Sequence, residues 1–144
     1  MSGFLPDTSC VVAVVCEWHE HHTRAVAEVG RRLRRREPML LAAPALVETY
    51  AVLTRLPAPY RLAPADALAL LETGFMRTGR IVALTGRSYR DLLARAPDDG
   101  IVGGRTCDAV IAACAARGKA SALLTFNAGH FEAFATESLE IVVP

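Results

Sequence analysis

Residues 3–9 read Gly3-Phe4-Leu5-Pro6-Asp7-Thr8-Ser9: a short apolar run that stops at an acid. Residues 8–16, Thr-Ser-Cys-Val-Val-Ala-Val-Val-Cys, then continue as a short buried helix. A strand over 3–6 followed at once by a helix is half of a βαβ unit, and the same alternation runs on through the chain. Val26, Val29 and Leu33 recur at three-to-four spacing and predict an amphipathic helix over 21–36. Residues 39–43, between Pro38 and Pro44, read as a strand. A helix over 45–56 has Pro44 near its first turn and Pro57 just past its end. A second helix is expected over 64–77, a strand over 80–84 and a helix over 88–96 stopped by Pro97. A helix over 106–117 stops at Gly118. A strand over 122–125, a short helix over 128–134 and a last strand over 140–143 complete the pattern. The expected fold is α/β, three layers α/β/α, with a mostly parallel central sheet.

The chain has 144 residues and no low-complexity linker or repeat, so residues 1–144 are read as one domain. Hydrophobic residues at 52% against 22% charged exclude a disordered segment. A net charge of +1 argues against binding to nucleic acid by bulk charge, though not against a local basic groove. No apolar run approaches the ~20 residues of a membrane span. The first residues lack the basic start and apolar core of a secretory signal. The four cysteines form no Cys-x-x-Cys, and Cys107 and Cys114 are seven apart, on one helix face, as core filling. A reduced, cytoplasmic protein without a membrane partner is expected.

In such folds ligands bind at the carboxyl ends of the strands, which directs attention to the loops after Pro6, Ala43, Leu84 and Thr125. Asp7 ends the first strand and would also serve as a helix N-cap. Asp108 is the only charge between Cys107 and Ala116. A helix apolar on nearly every face is buried, so that carboxylate needs compensation, part of it from the helix dipole with Thr106 as cap. Glu48 falls on the less apolar side of its helix, beside Ala51 and Arg55. Asn127 sits in a strand-end turn, where Asn is common. Together these four side chains lie at strand ends or helix starts. Carboxylates gathered in one pocket repel one another and would partly protonate or recruit a cation. With oxygen donors and no thiolate or imidazole cluster, that cation is Mg²⁺ or Mn²⁺, which serves in-line displacement at phosphorus.

Asp7-Thr8-Ser9, Leu46-Val47-Glu48, Cys107-Asp108-Ala109-Val110-Ile111-Ala112-Ala113 and Leu123-Leu124-Thr125-Phe126-Asn127, in this order and spacing, resemble PIN-domain proteins of the VapC type. These are the toxin half of type II toxin–antitoxin pairs. The resemblance covers essentially the whole chain. It implies a Mg²⁺- or Mn²⁺-dependent endoribonuclease, a homodimer, an antitoxin partner and an RNA substrate such as tRNA or a ribosomal RNA loop. By that likeness Asp7, Glu48 and Asp108 form the acidic cluster, with Asp7 and Asp108 as direct ligands. Glu48 would act through water or as a base. Thr8 or Ser9 would orient Asp7 or contact phosphate, and the helical hairpin over 45–77 would meet a second copy and the antitoxin. The family often has Asp at the fourth acidic position, where this chain has Asn127, with His130 the nearest replacement group and Glu132 a poorer one. This keeps open a PIN-like binding module with weakened catalysis; a PIN nuclease used in RNA maturation is a further alternative, which the sequence does not separate from a toxin. Pro6 is a second departure, since a buried parallel strand wants an N–H there.

Three further motifs are set beside this site. His19, His21 and His22 lack the i, i+4 spacing of a helical metal pair and read as a helix start or surface cluster, with substrate contact as the lesser reading. Five arginines between Arg31 and Arg36 read as a solvated helix end or as phosphate contacts. Gly103-Gly104-Arg105 precedes the Asp108 helix without a Walker ending, leaving Arg105 as a candidate for the RNA backbone. A phosphoacceptor domain of the receiver type fits poorly. Asp7 is followed by Thr8 and Ser9 in place of a second acid, and Lys119 precedes its strand instead of following it.

Overall fold

A computed structural model describes residues 2–144. The elements run β1 (Phe4–Pro6), α1 (Thr8–Val15), α2 (His22–Arg34), β2 (Leu40–Ala42), α3 (Ala43–Arg55), α4 (Pro64–Leu71), β3 (Arg80–Val82), α5 (Gly86–Arg95), α6 (Arg105–Arg117), β4 (Ala122–Leu124), α7 (Ala128–Phe131) and β5 (Glu140–Val142). A π-helical turn over Glu72–Met76 prolongs α4, and a 3-10 turn over Glu132–Phe134 prolongs α7. Each element expected from periodicity is present.

All strand pairs are parallel: β1 with β4, β4 with β5, and β2 with β3. A single bridge, Phe4 to Met39, joins β1 to β2 and gives the order β3-β2-β1-β4-β5. Pro6 explains why the join is so slight. The N–H of Phe4 donates to Pro38 on the β2 side, and the N–H of Asp7 donates to Leu124 on the β4 side. Strand N–H groups alternate in direction, so the one Pro6 lacks belongs to the β2 side. The proline is thus the last residue of β1, and its missing donor thins one seam of the sheet.

The pleat sorts the core into two layers. Phe4, Leu41, Ala122 and Leu124 pack with Cys10 and Val11 of α1, Ala25 and Val29 of α2, and Phe75. Leu5, Leu40, Val82 and Leu123 pack on the other face with Ile111, Ala112, Cys114 and Ala115 of α6 and Phe131 of α7. Both faces are covered, which is the three-layer α/β/α arrangement. Alanines at 109, 112 and 115 bring α6 close to the sheet. A small third cluster, Cys16, Leu53 and Ala67, ties the end of α1 to the α3–α4 hairpin.

Two local expectations are corrected. Thr106 does not cap α6, because the helix begins at Arg105 and Gly104 occupies the cap position without a side-chain bond. Cys114 is buried as expected, but Cys107 is exposed, since the first turn of α6 reaches the mouth of the cleft described below. All four cysteines are free. No helix among the described residues is long and apolar enough to cross a membrane.

At the seam, a Cβ on Gly3 would enter the van der Waals shell of the Pro38 carbonyl oxygen. Gly3→Ala is expected to cost about 1–3 kcal/mol through this clash. The loss should appear as a lower urea midpoint with an unchanged m value.

Candidate active site

The topological switch of the sheet falls between β1 and β4, and the side chains of interest collect just past their carboxyl ends. Asp7 is almost completely buried, at 3% exposure. Its Oδ1 accepts from the Ser9 hydroxyl at 2.6 Å and from the Cys10 N–H at 2.9 Å. Its Oδ2 accepts from the Thr125 hydroxyl at 2.6 Å. Each hydroxyl in turn accepts from the loop after β4. The Phe126 N–H donates to Ser9 Oγ at 3.0 Å, and the Asn127 N–H donates to Thr125 Oγ1 at 2.9 Å. Asp7 is therefore both the N-cap of α1 and the centre of a clamp between two strand-end loops.

Asp108, in the first turn of α6, and Glu48, in the first half of α3, line the same cavity of about 250 Å³ as Asp7. Thr8, Ser9, His19 and Asn127 also line it. Glu48 is exposed, as its helix face suggested, yet its Oε2 accepts from the Thr8 hydroxyl at 3.1 Å. Thr8 thus holds Glu48, while Ser9 orients Asp7. His130 Nδ1 lies 3.5 Å from Asp108 Oδ2, within ion-pair distance. Glu132 is exposed and lines no part of the cavity. A larger groove of about 620 Å³ between α5, α6 and the segment before β5 is mainly apolar, and Asp99 is its only acid. The acidic chemistry belongs to the smaller cleft.

Burial is the main cause that raises the Asp7 carboxyl above its ordinary range, against the pull of its three donors, and the nearby Asp108 charge adds to it. Burial also raises Asp108, with His130 and Arg105 opposing and Glu48 reinforcing. His19 is lowered by burial and by its imidazole neighbours. The donor set is therefore oxygen-rich, crowded and short of positive charge, which suits a hard divalent cation. Among the described residues no three ligand-type side chains yet converge on one point.

Sequence reasoning missed Thr125. It assigned the residue no role because threonine at a strand end is an ordinary β-former. The available signal was a hydroxyl placed directly across the switch from a strand-end acid. The role of His19 in lining the cleft was also missed, since it lies in an aperiodic turn.

The arginine-rich end of α2 is remote from this chemistry. Glu28 accepts from Arg31 at 2.6 Å and from Arg32 at 2.7 Å, and Arg32 also donates to Glu37. Arg31, Arg32 and Arg35 share a shallow depression with Ser2 and Ser121, at the amino ends of the strands. Arg34, Arg35 and Arg36 are exposed.

The PIN-domain family profile matches residues 4–136. This chain belongs to the PIN-domain family. Ribonuclease VapC40 of Mycobacterium tuberculosis is 41% identical over 106 residues, 74% of this chain and 73% of that protein. Ribonuclease VapC27 of the same organism is 34% identical over 137 residues, 95% of this chain and 93% of that one. Among solved structures, VapBC2 from Rickettsia felis, bound to a DNA fragment from their promoter, aligns with a TM-score of 0.66 at 15% identity, covering 97% of each chain. The sequence relatives place this PIN domain in the VapC branch.

Two outcomes follow for the VapC-type site. Thr125→Val keeps the shape but strips Asp7 Oδ2 of its donor and the Asn127 N–H of its acceptor. A stability loss of about 1–3 kcal/mol is expected in urea melts, with Thr125→Ser close to wild type. The raised Asp108 carboxyl means that the folded state holds its proton to higher pH than the unfolded chain does. Its contribution is complete below the ordinary carboxylate range and is lost as pH rises through the raised value. Metal-free thermal melts of wild type and Asp108→Asn should therefore diverge with rising pH, the variant becoming the more stable of the two. A wild type that gains stability relative to Asp108→Asn over that window would contradict the assignment.

Proposed function

We infer that this chain is a metal-dependent endoribonuclease, the toxin of a type II toxin–antitoxin pair, with the Asp7–Glu48–Asp108 cleft as its catalytic centre. The observation that carries this reading is the buried Asp7 carboxylate, clamped between the β1 and β4 loops and sharing one cavity with two further acids. Similarity to Ribonuclease VapC40 and Ribonuclease VapC27 supplies the substrate class.

Asp7 and Asp108 are the direct ligands in this reading, and Asn127 offers a neutral carbonyl oxygen at the fourth position. When bound, Mg²⁺ or Mn²⁺ supplies a water of lowered pKa and positive charge against the scissile phosphodiester. Ser9 and Thr125 hold Asp7 in a fixed rotamer, so that its position is set before substrate arrives. Glu48, reached by solvent and steered by Thr8, binds through water or accepts the proton of the attacking water. His130 lies within ion-pair distance of Asp108 on the outer side, and Arg105 stands at the head of α6 as the candidate for the RNA backbone. Asn127 brings no charge to the fourth position, which favours one tightly held ion over two.

Partners follow the same reading. Val47 and Tyr50 of α3 and Leu68 and Leu70 of α4 are exposed apolar side chains on the hairpin. Such a surface suits a homodimer contact and an antitoxin segment. The solved VapBC2 assembly of Rickettsia felis supports a partner of the antitoxin kind. One domain over residues 1–144 and a cytoplasmic site of action complete the proposal.

Cellular RNA incubated with the partner-free protein should be cut at discrete positions with Mg²⁺ or Mn²⁺ and not with EDTA. Asp7→Asn and Asp108→Asn should each lower cutting by at least about a hundredfold, the range for loss of a group that acts in the transition state. Thermal shift should show Mn²⁺ stabilising the wild type and neither variant. Binding of Mn²⁺ with no cutting of any RNA would favour the weakened binding module.

A further inference from the structure

A row of rings leaves the cleft along its α1–α2 side. Phe126, next to Asn127, stacks on His21 with centroids 4.4 Å apart and planes 11° from parallel. His21 lies 5.5 Å from His19, which itself lines the acidic cavity. His19 lies 6.0 Å from Trp18, and Trp18 lies 4.4 Å from Tyr60 of the α3–α4 loop. Arg24 covers Phe126 at 5.4 Å and places a cation beside the row. The outer rings are open to solvent, Trp18 at 49% and Tyr60 at 43% exposure. These side chains come from three segments far apart in sequence, so helix or strand periodicity does not account for their alignment. Phe126 packs partly against the core, but Trp18 and Tyr60 are misplaced as core, since half-exposed aromatic rings gain little from burial.

We propose that Trp18, Tyr60 and the adjoining His19–His21–Phe126 rings form a base-stacking platform that feeds single-stranded RNA into the acidic cleft. The inference rests on the ribonuclease reading and specifies how its substrate is held. Aromatic rings stack any base, because every base has a π-face, and proteins that take unpaired RNA use such platforms with a flanking cation. Comparable platforms hold two or three bases. The row begins where the acids are, so a strand stacked on it presents its backbone to the cleft. A duplex hides its base faces and gains nothing from the rings. The platform therefore selects unpaired loops, and residues 18 and 60 set substrate affinity without taking part in bond cleavage.

Trp18 is the only tryptophan in the chain, so its fluorescence reports on the platform directly. In EDTA, where cutting is stopped, a mixed-sequence oligoribonucleotide should quench it. The same strand annealed to its complement, or an abasic strand of equal charge, should not. By anisotropy with a dye-labelled oligoribonucleotide, Trp18→Ala and Tyr60→Ala should each weaken binding about tenfold, and Trp18→Phe should recover most of the loss. With metal restored, the loss should fall on KM more than on kcat. Equal binding of the abasic strand, or unchanged affinity in both alanine variants, would overturn the platform. So would alanine variants that bind RNA normally but lose affinity for the antitoxin, which would assign the rings to a protein partner. Quenching that persists in a protein unable to cut any RNA would instead sink the nuclease reading and leave the platform standing.

Discussion

The Asp7 carboxylate is the one group that both halves of the cleft depend on. Its two oxygens take three donors: one from the first turn of α1, one from Ser9 and one from Thr125 across the sheet. A charge so deeply buried is costly unless it is hydrogen-bonded. Here the bonds that offset the cost also fasten the β1 loop to the β4 loop. The hydroxyls relay that fastening to the Phe126 and Asn127 amides, so the turn carrying Asn127 takes its path from an acid 120 positions earlier. The same burial keeps the carboxyl raised in the absence of an ion. A cation bound there, as proposed, would offset that cost.

Around this fixed acid the other two are held more loosely. Asp108 stands on a helix whose remaining inner face is alanine, isoleucine and cysteine, which fixes the backbone while leaving the carboxylate near solvent. Glu48 has one hydroxyl partner and an exposed side chain. In the proposed reading, one rigid acid flanked by two adjustable ones would suit a divalent ion that must also admit water and phosphate.

Much of this was legible in the sequence. Short apolar runs bounded by proline, and helices opened or closed by proline and glycine, gave the strand and helix order, because local chemistry decides those boundaries. Asp7 and Asp108 were conspicuous because a lone acid beside an apolar run needs a reason. Glu48 was not, since its helix face is ordinary; its membership of the cleft depends on how α3 crosses the sheet. Thr125 and His19 were silent for a related reason. Their importance lies in what they face across more than a hundred residues of chain, or around an irregular turn, and no periodicity records that. The arginine run divided in a way that composition alone does not reveal. Arg31 and Arg32 are bound by Glu28 and Glu37, and three exposed arginines remain at the far end of the molecule from the acids.

Pro6 bears on how the cleft is assembled. Because its missing donor thins the junction of β1 with β2, no continuous ladder fixes the β2–β3 half of the sheet against the β1–β4–β5 half. Asp7, Thr125 and Asn127 belong to the second half, whereas Glu48 rides on α3 directly after β2. The spacing between Glu48 and Asp7 is thus governed by side-chain packing, which yields by tenths of an ångström, and not by hydrogen-bond register, which moves only in whole residues. The cleft has a mechanical tolerance built into its floor, at the position where one acid must adjust to whatever lies between it and the other two.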